Sequence, residues 1–182
     1  MKILIVATPR SGSTQLVNAI GKILNLKVFR EPFAPFYVGE PYDYTLPHVV
    51  KVLVDEYIDN KLDPALYDKT FFLSRKDVKK ASESFDYQLK YNLNKPLKWH
   101  EKYFLPDNQL VDQYTFTKLH TMTESIQILS DKVVWYEDLY SGEIDKVKEI
   151  LYNWGLNPYI DELLTYLNPA KKYRYYKKLN LL

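Results

Sequence analysis

The sequence contains no cysteine. That absence excludes disulfide scaffolds, thiolate zinc sites, iron–sulfur clusters and cysteine nucleophiles, and it fits a reducing, cytoplasmic compartment. An excess of charge of either sign is also lacking: 25 Lys and Arg stand against 23 Asp and Glu, for a net charge of +2. A chain so balanced is not built to coat nucleic acid or an anionic membrane, so any anion site has to be local. Long apolar runs are missing too. The opening stretch Ile3 to Ala7 is far shorter than a membrane span and lacks the longer apolar core and cleavage site of a secretory signal, so it reads as a strand. What remains is an ordinary globular composition, 46% hydrophobic and 26% charged over 182 residues, which predicts one domain around one sizeable core. Tyrosine is abundant, 17 residues beside 8 Phe and 3 Trp, and a core with polar rims accounts for much of it.

Hydrophobic patterning orders the elements. Met1 to Ala7 is a nearly continuous apolar run, as in a parallel strand buried on both faces. After the turn TPRSG, residues Leu16, Val17, Ile20, Ile23 and Leu24 recur at helical spacing and predict a helix over about 13–25. A short strand at Lys27 to Phe29 leads into Glu31 to Pro47, where Pro32, Pro35, Pro41 and Pro47 predict irregular backbone. Val49 to Ile58 reads as a helix, Lys69 to Leu73 as a strand, and Asp77 to Tyr91 as a helix with Ala81, Phe85 and Leu89 on one face. A connector over Lys95 to Asp107 precedes a helix over about 108–129. Lys132 to Tyr136 supplies another strand, and Glu143 to Trp154 a helix stopped by Gly155. Alternation of this kind predicts a three-layer α/β fold with a mainly parallel central sheet.

The sharpest chemical signal is Thr8-Pro9-Arg10-Ser11-Gly12-Ser13-Thr14, between the first strand and the first helix. There the backbone N–H groups and the helix dipole converge, Ser13 and Thr14 add hydroxyls, and Arg10 adds a planar cationic fork suited to phosphate or sulfate oxygens. An ordinary turn with Ser13 capping the helix requires neither the arginine nor the run of hydroxyls. The GxxxxGK[ST] loop of nucleoside triphosphatases is absent, since one glycine is present and Arg10 precedes it.

This loop resembles the 5′-phosphosulfate loop of the sulfotransferase family, (T/P)-x-(K/R)-S-G-(S/T)-(S/T). Two further segments resemble that family in order. Phe71-Phe72-Leu73-Ser74-Arg75-Lys76-Asp77-Val78, with Ser82 and Ser84 following, is similar to its 3′-phosphate motif. Val133-Val134-Trp135-Tyr136-Glu137-Asp138-Leu139, followed by Trp154-Gly155-Leu156, is similar to its V-x-YEDL and (F/W)-G-L segment. The resemblance covers about residues 1–160 and implies a P-loop-like fold. It also implies a donor, 3′-phosphoadenosine 5′-phosphosulfate (PAPS), with adenosine 3′,5′-bisphosphate (PAP) as product and no metal. Arg10, Ser11, Gly12, Ser13 and Thr14 would hold the 5′-phosphosulfate, and Arg75 with Ser82 or Ser84 the 3′-phosphate. In the commonest spacing the serine position falls on Glu83, whereas the R-x-D start at Arg75 is closer to trehalose-type members and points to Ser84. Glu137 and Asp138 would support the phosphate loops from behind. The chain is short for the family, so the acceptor-side loops, 33–68 and 93–107, are reduced.

In-line transfer needs a base on the acceptor side and cations on the leaving side. Phe29-Arg30-Glu31-Pro32-Phe33 resembles the (Y/R)-E-P-(L/F) segment of carbohydrate sulfotransferases, and tyrosylprotein and trehalose types use a glutamate in this region. Glu31 is therefore the candidate base; a purely structural role would pair it with Arg30 or Lys27. His100, in Lys98-Trp99-His100-Glu101-Lys102, is the alternative, ahead of His48 and His120. The histidine spacing matches no metal site. The basic tail, 168–182, carries Lys171, Lys172 and Arg174, placed to cover the adenine and 3′-phosphate or simply solvated. The expected activity is sulfuryl transfer to a carbohydrate or other small hydroxyl acceptor, with no nucleic-acid partner and no membrane span. A small nucleotide or nucleoside kinase with a degenerate loop, and a non-catalytic nucleotide-binding module, are the alternatives.

Overall fold

In the computed structural model the described residues are 1–34, 41–92 and 113–167, the backbone alone for 86–92. Five strands, β1 (Lys2–Ala7), β2 (Lys27–Arg30), β3 (His48–Leu53), β4 (Lys69–Ser74) and β5 (Val133–Trp135), form one all-parallel sheet in the order β2-β3-β1-β4-β5. The helices are α1 (Ser13–Ile23), α2 (Val54–Asp59), α3 (Val78–Asn92), α4 (Gln113–Leu129), α5 (Tyr136–Leu139), α6 (Ile144–Asn153) and α7 (Ile160–Leu167). The chain is thus an α/β protein with a parallel sheet flanked by helices, consistent with a three-layer P-loop-like fold. No helix among the described residues is long and apolar enough to cross a membrane.

Strand β1 explains the layers. Ile3, Ile5 and Ala7 pack with Leu16, Val17 and Ile20 of α1 and with Val147, Leu151, Leu163 and Leu167 of α6 and α7. Leu4 and Val6 point the other way, to Met122 and Ile126 of α4. Both faces of the strand are covered, so its sequence has to be apolar at every position rather than at every second one. The loop after β1 enters α1 on one face, while the loop after β4 enters α3, which packs on α4 on the other. Because β1 and β4 are neighbours, their carboxyl ends bound the crevice where open α/β sheets bind ligands.

Three elements differ from expectation. The stretch Val49 to Ile58, read as one helix, is strand β3 as far as Leu53 and helix α2 from Val54. As a central strand covered on both faces it shows no alternation, and periodicity alone does not separate such a strand from a buried helix. Segment 33–68 is accordingly not loop throughout, since it supplies a central strand as well as α2. The strand at Lys132 to Tyr136 is trimmed to Val133–Trp135, and α5 starts at Tyr136. Finally, α7, for which no element was expected, buries Leu163 and Leu167 against α1.

Candidate anion-binding site at the carboxyl edge of the sheet

The β1–α1 loop is tied to β4 before it turns. Thr8 N–H donates to the Leu73 carbonyl at 3.0 Å, and the Thr8 and Ser74 hydroxyls meet at 3.1 Å. Ser11 Oγ donates to the Thr8 carbonyl at 2.8 Å and is fully buried, so this hydroxyl shapes the loop from within. Arg10 and Gly12 both have left-handed backbone, φ 64° and 78°. At Gly12 a glycine is required twice over, because a Cβ there would lie 2.5 Å from Cε2 of Tyr140. Gly12, not Ser13, is the N-cap of α1; no side chain caps the helix and its first turn holds no acidic residue. The positive end of the helix is therefore compensated neither by a capping side chain nor by an acidic residue of its own first turn.

Two arginines border this loop. Arg10 Nε donates to Ser84 Oγ at 2.8 Å, joining the β1–α1 loop to helix α3. Arg75, just past β4, lies 4.8 Å above the Tyr136 ring, and its Nε is 3.6 Å from Glu137 Oε1. That separation is too long for a hydrogen bond, and Nε is buried without a hydrogen-bond partner among the described residues. Ser82 and Ser84 part ways here: Ser82 is fully buried and donates to the Val78 carbonyl at 2.8 Å, whereas Ser84 faces Arg10.

Helix α5 braces both loops. Glu137 accepts the backbone N–H groups of Lys76 and Asp77, at 2.9 and 3.2 Å. Asp138 pairs with Lys76 at 3.1 Å and Lys146 at 2.9 Å. Burial works against its ionised form, but hydrogen bonds from Lys146 and Lys76 and their charges hold its carboxyl below the usual range. Tyr140 OH donates to the Gly12 carbonyl at 2.8 Å, and burial raises this phenol, with Tyr136 adding to the effect, so it stays a donor.

Glu31 occupies the same carboxyl edge of the sheet. It too is left-handed, φ 53°, and its N–H donates to the Lys51 carbonyl at 2.6 Å. Its carboxylate pairs with neither Arg30 nor Lys27 but with Lys51 of β3. Arg30 Nε donates instead to Asn18 Oδ1 at 2.9 Å. Lys51 is only 3% exposed, so its ammonium depends on this partner, while the Glu31 side chain keeps 37% of its surface. On α2, Glu56 Oε2 accepts Leu53 N–H at 2.8 Å, the reach-back of an N3 glutamate. Burial, reinforced by the nearby Glu31 charge and opposed by the Leu53 N–H and Lys51, pushes the Glu56 carboxyl up to about 7.

Other predicted residues lie elsewhere. His48 is at the opposite end of the sheet, with Nδ1 2.7 Å from the Leu46 carbonyl and Nε2 2.9 Å from Tyr42 OH, and burial lowers its pKa. His120 is exposed on α4, 3.5 Å from Glu124. His100 and the tail residues Lys171, Lys172 and Arg174 fall outside the described residues. Among the described residues no group of three His, Cys, Asp or Glu is placed to hold a metal ion. Sequence reasoning missed Lys51 and Glu56, although a lysine inside the β-branched run HVVKVL is itself a signal of a buried charge that needs a partner. It also missed the Tyr140 brace, which no local pattern announces. The chain matches no family model and no curated protein.

Proposed function

We propose that the chain is a sulfotransferase that moves a sulfuryl group from PAPS to the hydroxyl of a carbohydrate or other small alcohol, by metal-independent in-line transfer. The observation that carries this reading is the Arg75 guanidinium. It sits just past a strand end, stacked on Tyr136 and 3.6 Å from Glu137, with a buried Nε that no hydrogen bond among the described residues satisfies. The Arg75 side chain keeps 18% of its surface, and an anionic oxygen reaching that part of it would gain a charge-assisted pairing. Together with the motif resemblance, this supports a donor carrying anionic groups at both ends.

In this reading Arg10, Gly12, Ser13 and Thr14 receive the 5′-phosphosulfate, with Ser11 setting the loop's shape. Arg75 and Ser84 receive the 3′-phosphate. The acceptor oxygen attacks sulfur as the bond from sulfur to the bridging phosphate oxygen breaks, and the electron pair leaves on that oxygen. Arg10 and the α1 dipole stabilise the developing charge. The acceptor proton passes to Glu31, which Lys51 orients. The test is transfer of labelled sulfuryl from PAPS to a panel of sugars and alcohols, in EDTA. The expected result is transfer that persists in EDTA and is lost in Arg10→Ala. ATP-dependent phosphoryl transfer that EDTA abolishes would support a kinase instead, and PAP binding without turnover a nucleotide-binding module.

A further inference from the structure

We infer that the cavity at the end of the sheet opposite the crevice binds a small organic anion with an apolar, ring-shaped body. The cavity measures about 320 Å³ and lies among Lys2 at the start of β1, His48 at the start of β3, Tyr44, the turn after α2, and Tyr67 just ahead of β4. That volume is near the lower end of the roughly 300–1,000 Å³ of small-molecule sites, room for one ring and a substituent. Nothing in the crevice contributes to it, since Arg10, Arg75 and Glu31 stand at the carboxyl edge.

The walls are set by the local chain. Helix α2 stops at its C-cap Asn60, and Lys61, left-handed at φ 48°, turns the backbone so that Leu62 N–H donates to the Tyr57 carbonyl at 3.2 Å. Asp63 then opens a 3-10 turn over Pro64–Leu66, which brings Leu66 into the lining. Tyr44 stands against Tyr42, ring centroids 4.4 Å apart, and Tyr42 meets buried Phe29 at 5.0 Å, so this wall is anchored in the core. Tyr44 is nevertheless 42% exposed and Leu66 59%. A ligand ring laid against them would remove apolar surface from water.

The charge of the ligand follows from which polar groups of the lining are already engaged. His48 Nδ1 donates to the Leu46 carbonyl at 2.7 Å, its Nε2 meets Tyr42 OH at 2.9 Å, and that hydroxyl meets Tyr67 OH at 2.8 Å, so the histidine and the two phenols satisfy one another. Asn60 Nδ2 donates to the Glu56 carbonyl at 2.8 Å, and Asp63 Oδ1 accepts Ala65 N–H at 2.9 Å. Lys2 and Lys61 remain. Among the described residues neither ammonium has a hydrogen-bond or ion-pair partner. The lining thus sets two ammonium groups against one carboxylate, and that carboxylate caps its own turn. Two such donors beside apolar walls suit a carboxylate or a comparable anionic head on a ring.

The experiment follows backbone amide resonances of the isotope-labelled full chain during titration with phenylacetate and with phenylacetamide, its uncharged counterpart. The proteins are wild type, the double variant Lys2→Gln with Lys61→Asn, and Tyr44→Ala; asparagine tolerates the left-handed backbone at position 61. Phenylacetate should shift the amides of Lys2, Lys61, Leu62 and Tyr67 saturably, with a Kd of about 1 mM or below, and leave those of Arg10 to Thr14 in place. Phenylacetamide should bind wild type at least about tenfold more weakly, the loss of a charge-assisted pairing, a comparison that needs no variant. The double variant should lose phenylacetate affinity to the same degree while keeping the wild-type spectrum elsewhere, and Tyr44→Ala should weaken both probes. No saturable shift on wild type, equal binding of the two probes, or a double variant that binds phenylacetate as wild type does overturns the anion site. Phenylacetate shifts centred on Arg10 to Thr14 overturn it as well, by assigning the anion to the crevice, and leave the sulfotransferase reading standing.

Discussion

Replacing Gly12 by alanine tests how the β1–α1 loop is held. The added methyl carbon would lie 2.5 Å from Tyr140 Cε2 and 3.0 Å from both Tyr140 Cζ and Tyr136 Cδ2, well inside the usual carbon–carbon contact of about 3.5–4.0 Å. Three costs follow. A side chain at φ 78° costs about 1–2 kcal/mol in the left-handed region. Forcing the packed Tyr140 ring aside costs about 1–3 kcal/mol, and losing its 2.8 Å hydrogen bond to the Gly12 carbonyl about 1 kcal/mol. The sum, about 3–6 kcal/mol, is a large part of the roughly 5–15 kcal/mol that stabilises a domain. At roughly 2–4 °C per kcal/mol for a chain of this size, Tm falls by about 6–24 °C. Urea unfolding measured in parallel should show a lower midpoint with an unchanged slope. The clash is isolated by a double-mutant cycle with Tyr140→Leu, which removes the ring atoms concerned. In that background Gly12→Ala should retain the backbone cost and the 3.0 Å approach to Tyr136 Cδ2, giving a coupling of about 2–4 kcal/mol. A Gly12→Ala protein as stable as wild type, or additive effects in the cycle, would refute the bracing of this loop by α5.

Further predictions follow from the same geometry. Ser84→Ala should weaken PAP binding by up to about tenfold, since one hydrogen bond contributes about 1 kcal/mol. Ser82→Ala should leave calorimetric affinity unchanged, because that hydroxyl is turned to Val78. Glu31→Ala should destabilise more than Lys51→Met in chemical denaturation, because the first takes away the buried ammonium's ion-pair partner and leaves it only the Glu56 charge nearby, at up to about 3 kcal/mol, while the second leaves a carboxylate 37% exposed that water can solvate. A ranking in the opposite order counts against the burial argument. Glu56 also makes stability depend on pH. Its carboxyl is raised from 4.5 to about 7, so between those values the native state holds a proton that the unfolded chain has lost, and stability falls as pH rises through that window. Unfolding midpoints taken across it should decline in wild type and flatten in Glu56→Gln.

Much of the fold is legible in the sequence, and the largest exception, strand β3, has a local cause. Strands β1 and β4 stand out because apolar runs abut turn signals at Thr8 to Gly12 and at Arg75 to Asp77. Strand β3 does not, because the run from Val49 continues into α2 without Gly or Pro, so pattern alone extends one element across two. Its β-branched residues Val49, Val50 and Val52 were the clue to strand. Of the candidate site, the loop around Gly12 and the Arg75 turn are local motifs and can be read directly. Pairings at long sequence separation cannot be: Lys51 with Glu31, Ser84 with Arg10, Tyr140 with Gly12. Each depends on which strand lies beside which, and the order β2-β3-β1-β4-β5 follows from no local pattern.

The central claim is that the crevice between β1 and β4 takes a nucleotide through a 3′-phosphate held by Arg75. It is tested most directly by calorimetric titration of adenosine 3′,5′-bisphosphate in EDTA, beside adenosine 5′-monophosphate and ATP, on wild type and Arg75→Ala. The account predicts tight, metal-independent binding that needs the 3′-phosphate. Arg75→Ala should weaken it about 10- to 100-fold, the value of one charge-assisted hydrogen bond of about 1.5–3 kcal/mol. Equal binding of the mono- and bisphosphate, with Arg75→Ala indistinguishable from wild type, would contradict it.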